Sequence, residues 1–296
     1  METHVYIDFS HLAYRCLFAL SRDIKTNGWG ILRHLLLKNI LYMSKKFDAD
    51  SVYVCFDTTT KNWRKAYYPD YKGNRKEARD KQSDIVDWQK FFEFIQTFKE
   101  EIKEVFPFYV IEQDGLEADD VIAYLTKNNL DKKKILITSD GDYVQLLRFK
   151  NTQLFDPMKQ KMVTGINPVL ELEKKILTGD KSDNVPSVKP RLGIKTAEKI
   201  ISSGELDILL EEKTSTGEYG PFRKNYDRNK KLIDLSKTPQ SLQNELQEVI
   251  DNYELSDGKM VFSYLKKNKL RDLLGDMNNI RQTIQKINIV RSQSIL

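Results

Sequence analysis

Short apolar runs alternate with longer helical patterns through the first half of the chain. Val5, Tyr6 and Ile7 form a compact buried strand that stops at Asp8. Residues 12–20 carry a helical pattern. Residues 29–42 carry a stronger one, in which Ile31, Leu32, Leu35, Leu36, Ile40 and Leu41 make a wide apolar stripe. Residues 51–56, β-branched and aromatic, predict a second strand ending at Asp57. Ile85, Trp88, Phe91, Phe92, Ile95, Phe98 and Ile102 recur at helical spacing, and Pro107 ends that helix before a third strand at 108–111. Residues 116–125 read as a helix with acids in its first turns, 134–138 as a fourth strand, 142–147 as a short helix, and 152–155 with 161–163 as a late hairpin. This alternation predicts an α/β fold: a central, mostly parallel, mixed sheet with helices on both faces.

Beyond residue 165 the strand pattern fades. Residues 171–178 and 196–201 are helical, separated by a loop-rich stretch with Pro186, Pro190 and Gly193. The expected division is an α/β part over 1–165 and a helical part over 166–296. The last piece, 278–296, is polar with scattered Ile and reads as a helix or a tail.

Composition narrows the classes. The 296 residues are 40% hydrophobic, enough for a core. Lys plus Arg, 48, exceed Asp plus Glu, 43, giving a net charge of +5, which permits an anionic partner without requiring one. No run approaches the ~18 apolar residues of a membrane span, and the first residues lack a signal pattern. Cys16 and Cys55 sit in apolar surroundings, and the only histidines are His4, His11 and His34. A disulfide scaffold, a zinc site and a histidine-rich metal site are therefore not expected. The chain reads as soluble and intracellular, with any metal held by oxygen.

The acids carry the chemistry. Asp8 follows the first strand, Asp57 the second, Glu117, Asp119 and Asp120 the third, and Asp140 and Asp142 the fourth. In an open α/β sheet the carboxyl ends of the strands face one crevice, so these groups can converge. Asp180 and Asp183 add a pair spaced i,i+3. A lone Asp at a strand end is more often a cap or turn residue. Nine carboxylates in one crevice repel one another and call for hard divalent cations, two rather than one.

Residues 61–81 contribute Lys or Arg at 61, 64, 65, 72, 75, 76, 79 and 81, interleaved with Trp63, Tyr67, Tyr68 and Tyr71. Cations suit phosphates and aromatic faces suit unpaired bases; the plain alternative is a solvated charged loop. Gly193, ahead of a helix with Arg191, Lys195, Thr196 and Lys199 nearby, is a helix–hairpin–helix-like signal that grips duplex backbone. A plain helix–turn–helix packing unit is the alternative there.

Taken together, Tyr71-Lys72-Gly73-Asn74-Arg75, Glu117-Ala118-Asp119-Asp120, Thr138-Ser139-Asp140-Gly141-Asp142 and Gly179-Asp180-Lys181-Ser182-Asp183-Asn184-Val185-Pro186, in order over residues 4–270, resemble the 5′-nuclease superfamily of flap endonucleases and 5′→3′ exonucleases. The chain is most similar to the T-even phage ribonuclease H branch, which removes RNA primers. The resemblance implies a PIN-like α/β fold with a helical arch over about 61–104. It implies one Mg²⁺ among Asp8, Asp57, Glu117, Asp119 and Asp140, a second among Asp142, Asp180 and Asp183, and Asp120 near either, with Mn²⁺ as a substitute. Lys72 and Arg75 would contact the scissile phosphate, Tyr71 would stack on a nucleotide, and Lys76 and Arg79 would line the strand's path. Asp8, Asp57, Asp119, Asp140 and Asp142 would join Lys72 and Arg75 in the chemistry. The Gly193 hairpin would hold duplex and a K⁺ ion. In-line hydrolysis by water would leave a 5′-phosphate and a 3′-hydroxyl. Implied partners are 5′-flap DNA, RNA·DNA hybrid, a single-stranded DNA-binding protein and a sliding clamp, although residues 285–290 lack the paired aromatics of a clamp-binding box. A monomer in the cytoplasm of a phage-infected bacterium is expected.

The main competing reading is a catalytically silent DNA-binding module of the same fold. It leaves the nine acids unexplained, because binding phosphates gains nothing from unneutralised carboxylates. A PIN-type toxin would lack the basic insertion and the 179–199 segment. A phosphatase would need neither the insertion nor the hairpin.

Overall fold

The structure, a computed structural model, describes residues 1–82, 86–211 and 221–294. Six strands form one sheet: β1 (Thr3–Asp8), β2 (Ser51–Cys55), β3 (Tyr109–Ile111), β4 (Lys133–Ile137), β5 (Thr152–Asp156) and β6 (Lys161–Met162). Their order is β3-β2-β1-β4-β5-β6, all parallel except β6, which runs antiparallel to β5. The chain works outward from β1 to β3, then returns to the other side of β1 with β4. The switch point therefore lies at β1, where an open α/β sheet forms its crevice. Register fixes what emerges there: Ile7 lies opposite Val54 and Ile137, so β1, β2 and β4 end level and deliver Asp8, Asp57 and Asp140 to one edge.

Alternation along the strands makes two cores. Val5, Ile7, Val52, Val54, Ile135 and Ile137 face the helices Phe9–Ala19, Gly30–Lys46 and Trp88–Val105. Asp87 caps the last of these by accepting the Lys90 N–H at 3.1 Å, and Phe91, Phe94, Phe98, Ile102 and Val105 form its buried stripe. Ile85, the first residue of the stripe read from sequence, lies outside the described residues. On the other face Tyr6, Tyr53, Cys55 and Leu136 pack against the helix Ala118–Asn128, the 3-10 segment Gly141–Arg148 and Leu246 of the helix Gln240–Asp251.

A third cluster joins the helices Pro168–Thr178, Ile194–Ser203, Leu206–Leu210 and Phe222–Ile233, and Tyr71 is inserted into it. The chain then returns to the sheet. Of the piece 278–296, open between helix and tail from sequence, the described residues lie in the helix Met277–Ser294, which buries Ile280, Ile284 and Ile287 in the same core as Val5 and Ile7.

Gly179 sets the loop that carries Asp180 and Asp183. Its φ is +71°, and a Cβ there would lie 2.3 Å from the Val185 carbonyl oxygen and 2.5 Å from the Pro186 carbonyl carbon. Asp180 and Val185 exchange both backbone hydrogen bonds, at 2.8 and 2.7 Å, so the loop has no slack. Gly179→Ala is expected to cost about 2 kcal/mol or more and to displace both aspartates. Melting temperature and divalent-ion titration of the variant test this; unchanged values in both would refute it.

Candidate active site

The acids divide into two groups and one exception. In the first group, Asp8 caps the helix Phe9–Ala19, its Oδ1 accepting the His11 N–H at 3.0 Å. Asp57 accepts the Ala118 N–H at 2.9 Å, which ties the β2 exit to the helix that carries Asp119. Asp140 caps the 3-10 segment by accepting the Asp142 N–H at 2.9 Å. Burial, then the neighbouring Asp57 and Asp140 charges, push the Asp8 carboxyl up to about 7. Asp119 is also raised, by burial and by Asp120 and Glu117, against the pull of Arg64. Its Oδ1 is buried with no hydrogen-bond partner.

In the second group Asp142, Asp180 and Asp183 each bring one carboxylate oxygen within 4.8 Å of the others. Asp180 is held from below, its Oδ1 accepting from the Ser182 N–H at 2.8 Å and the Ser182 hydroxyl at 2.6 Å. Lys175, which the sequence reading passed over, reaches in from the helix Pro168–Thr178 to contact Asp142 and, at 2.7 Å, Asp180. The signal was available: Lys175 lies five residues ahead of Asp180, one helical turn and a tight glycine away.

Asp120 is the exception. It is fully buried, and both oxygens are saturated. Arg64 donates to both at 2.8 Å, Thr238 to Oδ1 at 2.8 Å, and Trp63 and the Glu117 N–H to Oδ2 at 3.1 Å. Such a carboxylate anchors the fold and has no lone pair left to face an ion. Arg64 was read among the phosphate-facing cations; it is 1% exposed and also donates to Glu117 at 3.1 Å and to the Leu232 carbonyl at 2.9 Å. Glu117 stands between the groups. Although burial would raise it, Lys72 and Arg64 hold it down to about 2.

The basic segment lies over these acids. Lys72 contacts Glu117 and lies 3.8 Å from Asp183, and Arg75, half-exposed, pairs with Asp183 at 2.9 Å. The Lys72 N–H donates to the Asp183 carbonyl at 2.9 Å and the Asn184 amide to the Asp70 carbonyl at 2.9 Å, so loops over a hundred residues apart in sequence are stitched together. Tyr71 differs from expectation. Its ring is 2% exposed and its hydroxyl lies 2.9 Å from both Glu117 and Asp183, so no face is open to a base. Arg79 lies over the Phe92 ring and, with Arg75, Asp57, Glu117 and Phe91, lines a cavity of about 840 Å³ between the basic segment and the helix Trp88–Val105. The Lys76 side chain lies outside the described residues. Arg191, Gly193, Lys195, Thr196 and Lys199 are exposed around the start of the helix Ile194–Ser203, whose N-terminus has no side-chain cap. Ile194 and Asp142 line one cavity of about 450 Å³, which connects this surface to the second group.

The donor set fits divalent cations. It is all oxygen, Asp142, Asp180 and Asp183 crowd together, and Asp119 Oδ1 is buried without a hydrogen bond, its cation Arg64 standing off at 3.6 Å. Residues 3–176 match the family model described as 5′-3′ exonuclease, N-terminal resolvase-like domain. The chain belongs to the 5′-3′ exonuclease family. It is a nuclease. Among relatives of this chain, the ribonuclease H of Enterobacteria phage T4 is 32% identical over 298 residues, covering 92% of this chain and 94% of that one. A 5′-3′ exonuclease of Aquifex aeolicus is 29% identical over 307 residues, covering 97% and 96%. The fold matches T5 5′-exonuclease with bound zinc (TM-score 0.64, 21% identity, 86% of this chain and all of that one). It also matches the bacteriophage T5 flap endonuclease in complex with DNA and metal ions (TM-score 0.62, 21% identity, 84% and 98%). Among the described residues no helix is long and apolar enough to cross a membrane.

The raised Asp8 has a thermodynamic consequence in the ion-free protein. Its ordinary value is 3.8 and its folded value about 7. Between those limits the folded chain keeps a proton that the unfolded chain has lost. Stability from this group therefore falls as pH rises, by up to about 1.4 kcal/mol per pH unit. His4, lowered by burial from 6.5 to about 4, acts in the opposite sense over pH 4–6.5. The informative comparison is thus wild type against Asp8→Asn in EDTA. Wild type is expected to lose stability relative to the variant between pH 5 and 7 in urea unfolding. A difference that stays flat across that range would contradict the assignment.

Proposed function

We propose that this exonuclease is a Mg²⁺-dependent 5′→3′ exonuclease and flap endonuclease that uses two ions, acts on DNA duplexes and RNA·DNA hybrids, and removes RNA primers during phage DNA replication. The observation that supports this reading is the cluster of Asp142, Asp180 and Asp183, near which Asp8 lies in the field of Asp57 and Asp140 and Lys72 and Arg75 pair with Glu117 and Asp183. Asp8, Asp57, Asp119 and Asp140, with Glu117 beside them, would hold one ion, and Asp142, Asp180 and Asp183 the other. Divalent ions bound there supply an activated water and neutralise the charge that develops on the phosphate.

The protein's own groups do the rest. Lys72 and Arg75 leave their acid partners for the scissile phosphate, where their charge stabilises the transition state. The 840 Å³ cavity beside Arg75 and Arg79 accepts the 5′ single strand. Arg191, Lys195, Thr196, Lys199 and the open N–H groups after Gly193 grip duplex phosphates, with K⁺ at that hairpin. The enzyme acts as a monomer in the cytoplasm of the infected cell, beside a single-stranded DNA-binding protein and a sliding clamp. The likeness to the phage T4 ribonuclease H along nearly the whole chain supports the replication role.

The test is cleavage of a 5′-labelled flap duplex and a matched RNA-primed duplex with Mg²⁺ or EDTA. Mg²⁺-dependent cuts near the junction and primer removal are expected. Tight binding without cleavage in any divalent metal would overturn the reading in favour of a silent DNA-binding protein.

A further inference from the structure

The 3-10 segment Gly141–Arg148 carries a hydroxyl that the mechanism above does not use. Tyr143 is 1% exposed, its ring packed in the core that also holds Tyr6, Leu136 and Leu146. Its hydroxyl is buried and closes no hydrogen bond within 3.5 Å, yet it lies near enough to the Asp8 carboxyl to favour that group's charged form. Among the described residues the other buried side-chain atom without a hydrogen bond is Asp119 Oδ1. Both belong to one place, because the charges that bear on the Tyr143 hydroxyl are those of Asp8, Asp119, Asp140 and Asp57, with Asp8 foremost.

Tyr71 and Tyr226, also buried, are satisfied, the first by Glu117 and Asp183 and the second by Glu173 at 2.6 Å. An unpaired hydroxyl in a core is costly, and phenylalanine would fill the same space without that cost. The hydroxyl lies beside the Asp8 carboxyl without closing a full hydrogen bond, so it is matched to a state in which that carboxylate shifts toward it, and the bound-ion state is the one the donor set calls for.

We propose that Tyr143 is a positioning residue for the ion held by Asp8, Asp57, Asp119 and Asp140, its hydroxyl donating to a carboxylate oxygen of Asp8 when the ion is present. This rests on the two-ion reading above. Asp8 already accepts the His11 N–H on Oδ1, while the Thr138 hydroxyl stands at a long 3.4 Å from Oδ2. A further donor from the core side fixes the carboxylate plane, so that a lone pair stays aimed at the ion. Hydrogen bonds from residues behind metal ligands commonly set affinity in this way.

Wild type and Tyr143→Phe, freed of metal, are titrated with Mn²⁺ by calorimetry, with electron paramagnetic resonance counting free ion, and are melted with and without Mn²⁺. Wild type is expected to show two classes of site. Tyr143→Phe is expected to weaken one class about tenfold, to leave the other within about twofold, and to melt no lower than wild type without metal. Asp140→Asn should weaken that same class. Two classes in wild type with an indistinguishable Tyr143→Phe would overturn the proposal alone. So would a lower metal-free melting temperature with unchanged binding, the mark of a hydroxyl that only serves packing. A single class in wild type, lost in Asp142→Asn and untouched by Asp140→Asn, would overturn it together with the two-ion reading.

Discussion

Asparagine at position 140 is expected to lower the flap-cleavage rate by about 10²–10³-fold while duplex affinity and melting temperature stay near wild type. A charged ligand in a two-ion site contributes several kcal/mol to stabilising the transition state, and each ~1.4 kcal/mol is a factor of ten in rate. The fold should survive because Asp140 is exposed, and its cap to the Asp142 N–H uses one oxygen that an amide retains. Removing a negative charge beside Asp8 also relieves repulsion in the ion-free protein. Single-turnover cleavage, gel-shift binding and melting in EDTA separate the effects. A variant that cleaves within tenfold of wild type would remove Asp140 from the chemistry.

Arg64→Ala should act in the opposite way, on stability before activity. The guanidinium sits over the Trp63 ring at 4.8 Å and donates to Asp120, Glu117 and the Leu232 carbonyl. Without it, the fully buried Asp120 carboxyl loses its only ion-pair partner among the described residues. Breaking a buried pair from one side typically costs about 3–5 kcal/mol, a fall in melting temperature of order 10 °C for a chain of this size. The double variant Arg64→Met with Asp120→Leu should recover much of the loss, because it removes both charges. A melting temperature within about 2 °C of wild type in Arg64→Ala would show that the Arg64–Asp120 pair does not hold the fold together. Lysine is not an adequate substitute, since one ammonium cannot serve both oxygens of Asp120 and a carbonyl together.

These two residues mark what sequence could and could not reveal. The strand-end acids were legible because a strand that stops at Asp must present it at the sheet edge, and parallel order brings those edges together. Asp8, Asp57 and Asp140 needed only that rule. Arg64 was not legible. In a run of eight cations nothing local distinguishes the one that turns inward to meet Asp120. Tyr71 was misjudged for the same reason: an aromatic among lysines suggests a stacking platform, yet its partners Glu117 and Asp183 are distant in sequence. Helix Met277–Ser294 escaped a firm reading because its Ile residues are sparse, and the core that accepts them is built mainly by the first hundred residues.

That last helix has a bearing on synthesis. Val5 and Ile7 are synthesised long before Ile280, Ile284 and Ile287, whose side chains seal the same core. Gly258 is part of this closure, lying so near Ile284 that a Cβ would come within 2.8 Å of it. A nascent chain that already carries every acid of the site still has an open apolar face beneath its central strand. Contacts of such long sequence separation form late, and exposed apolar surface is what chaperones and proteases recognise. Truncation before residue 277 is therefore expected to cost stability and protease resistance although it removes no acid of the site, and limited proteolysis of the shortened chain checks this.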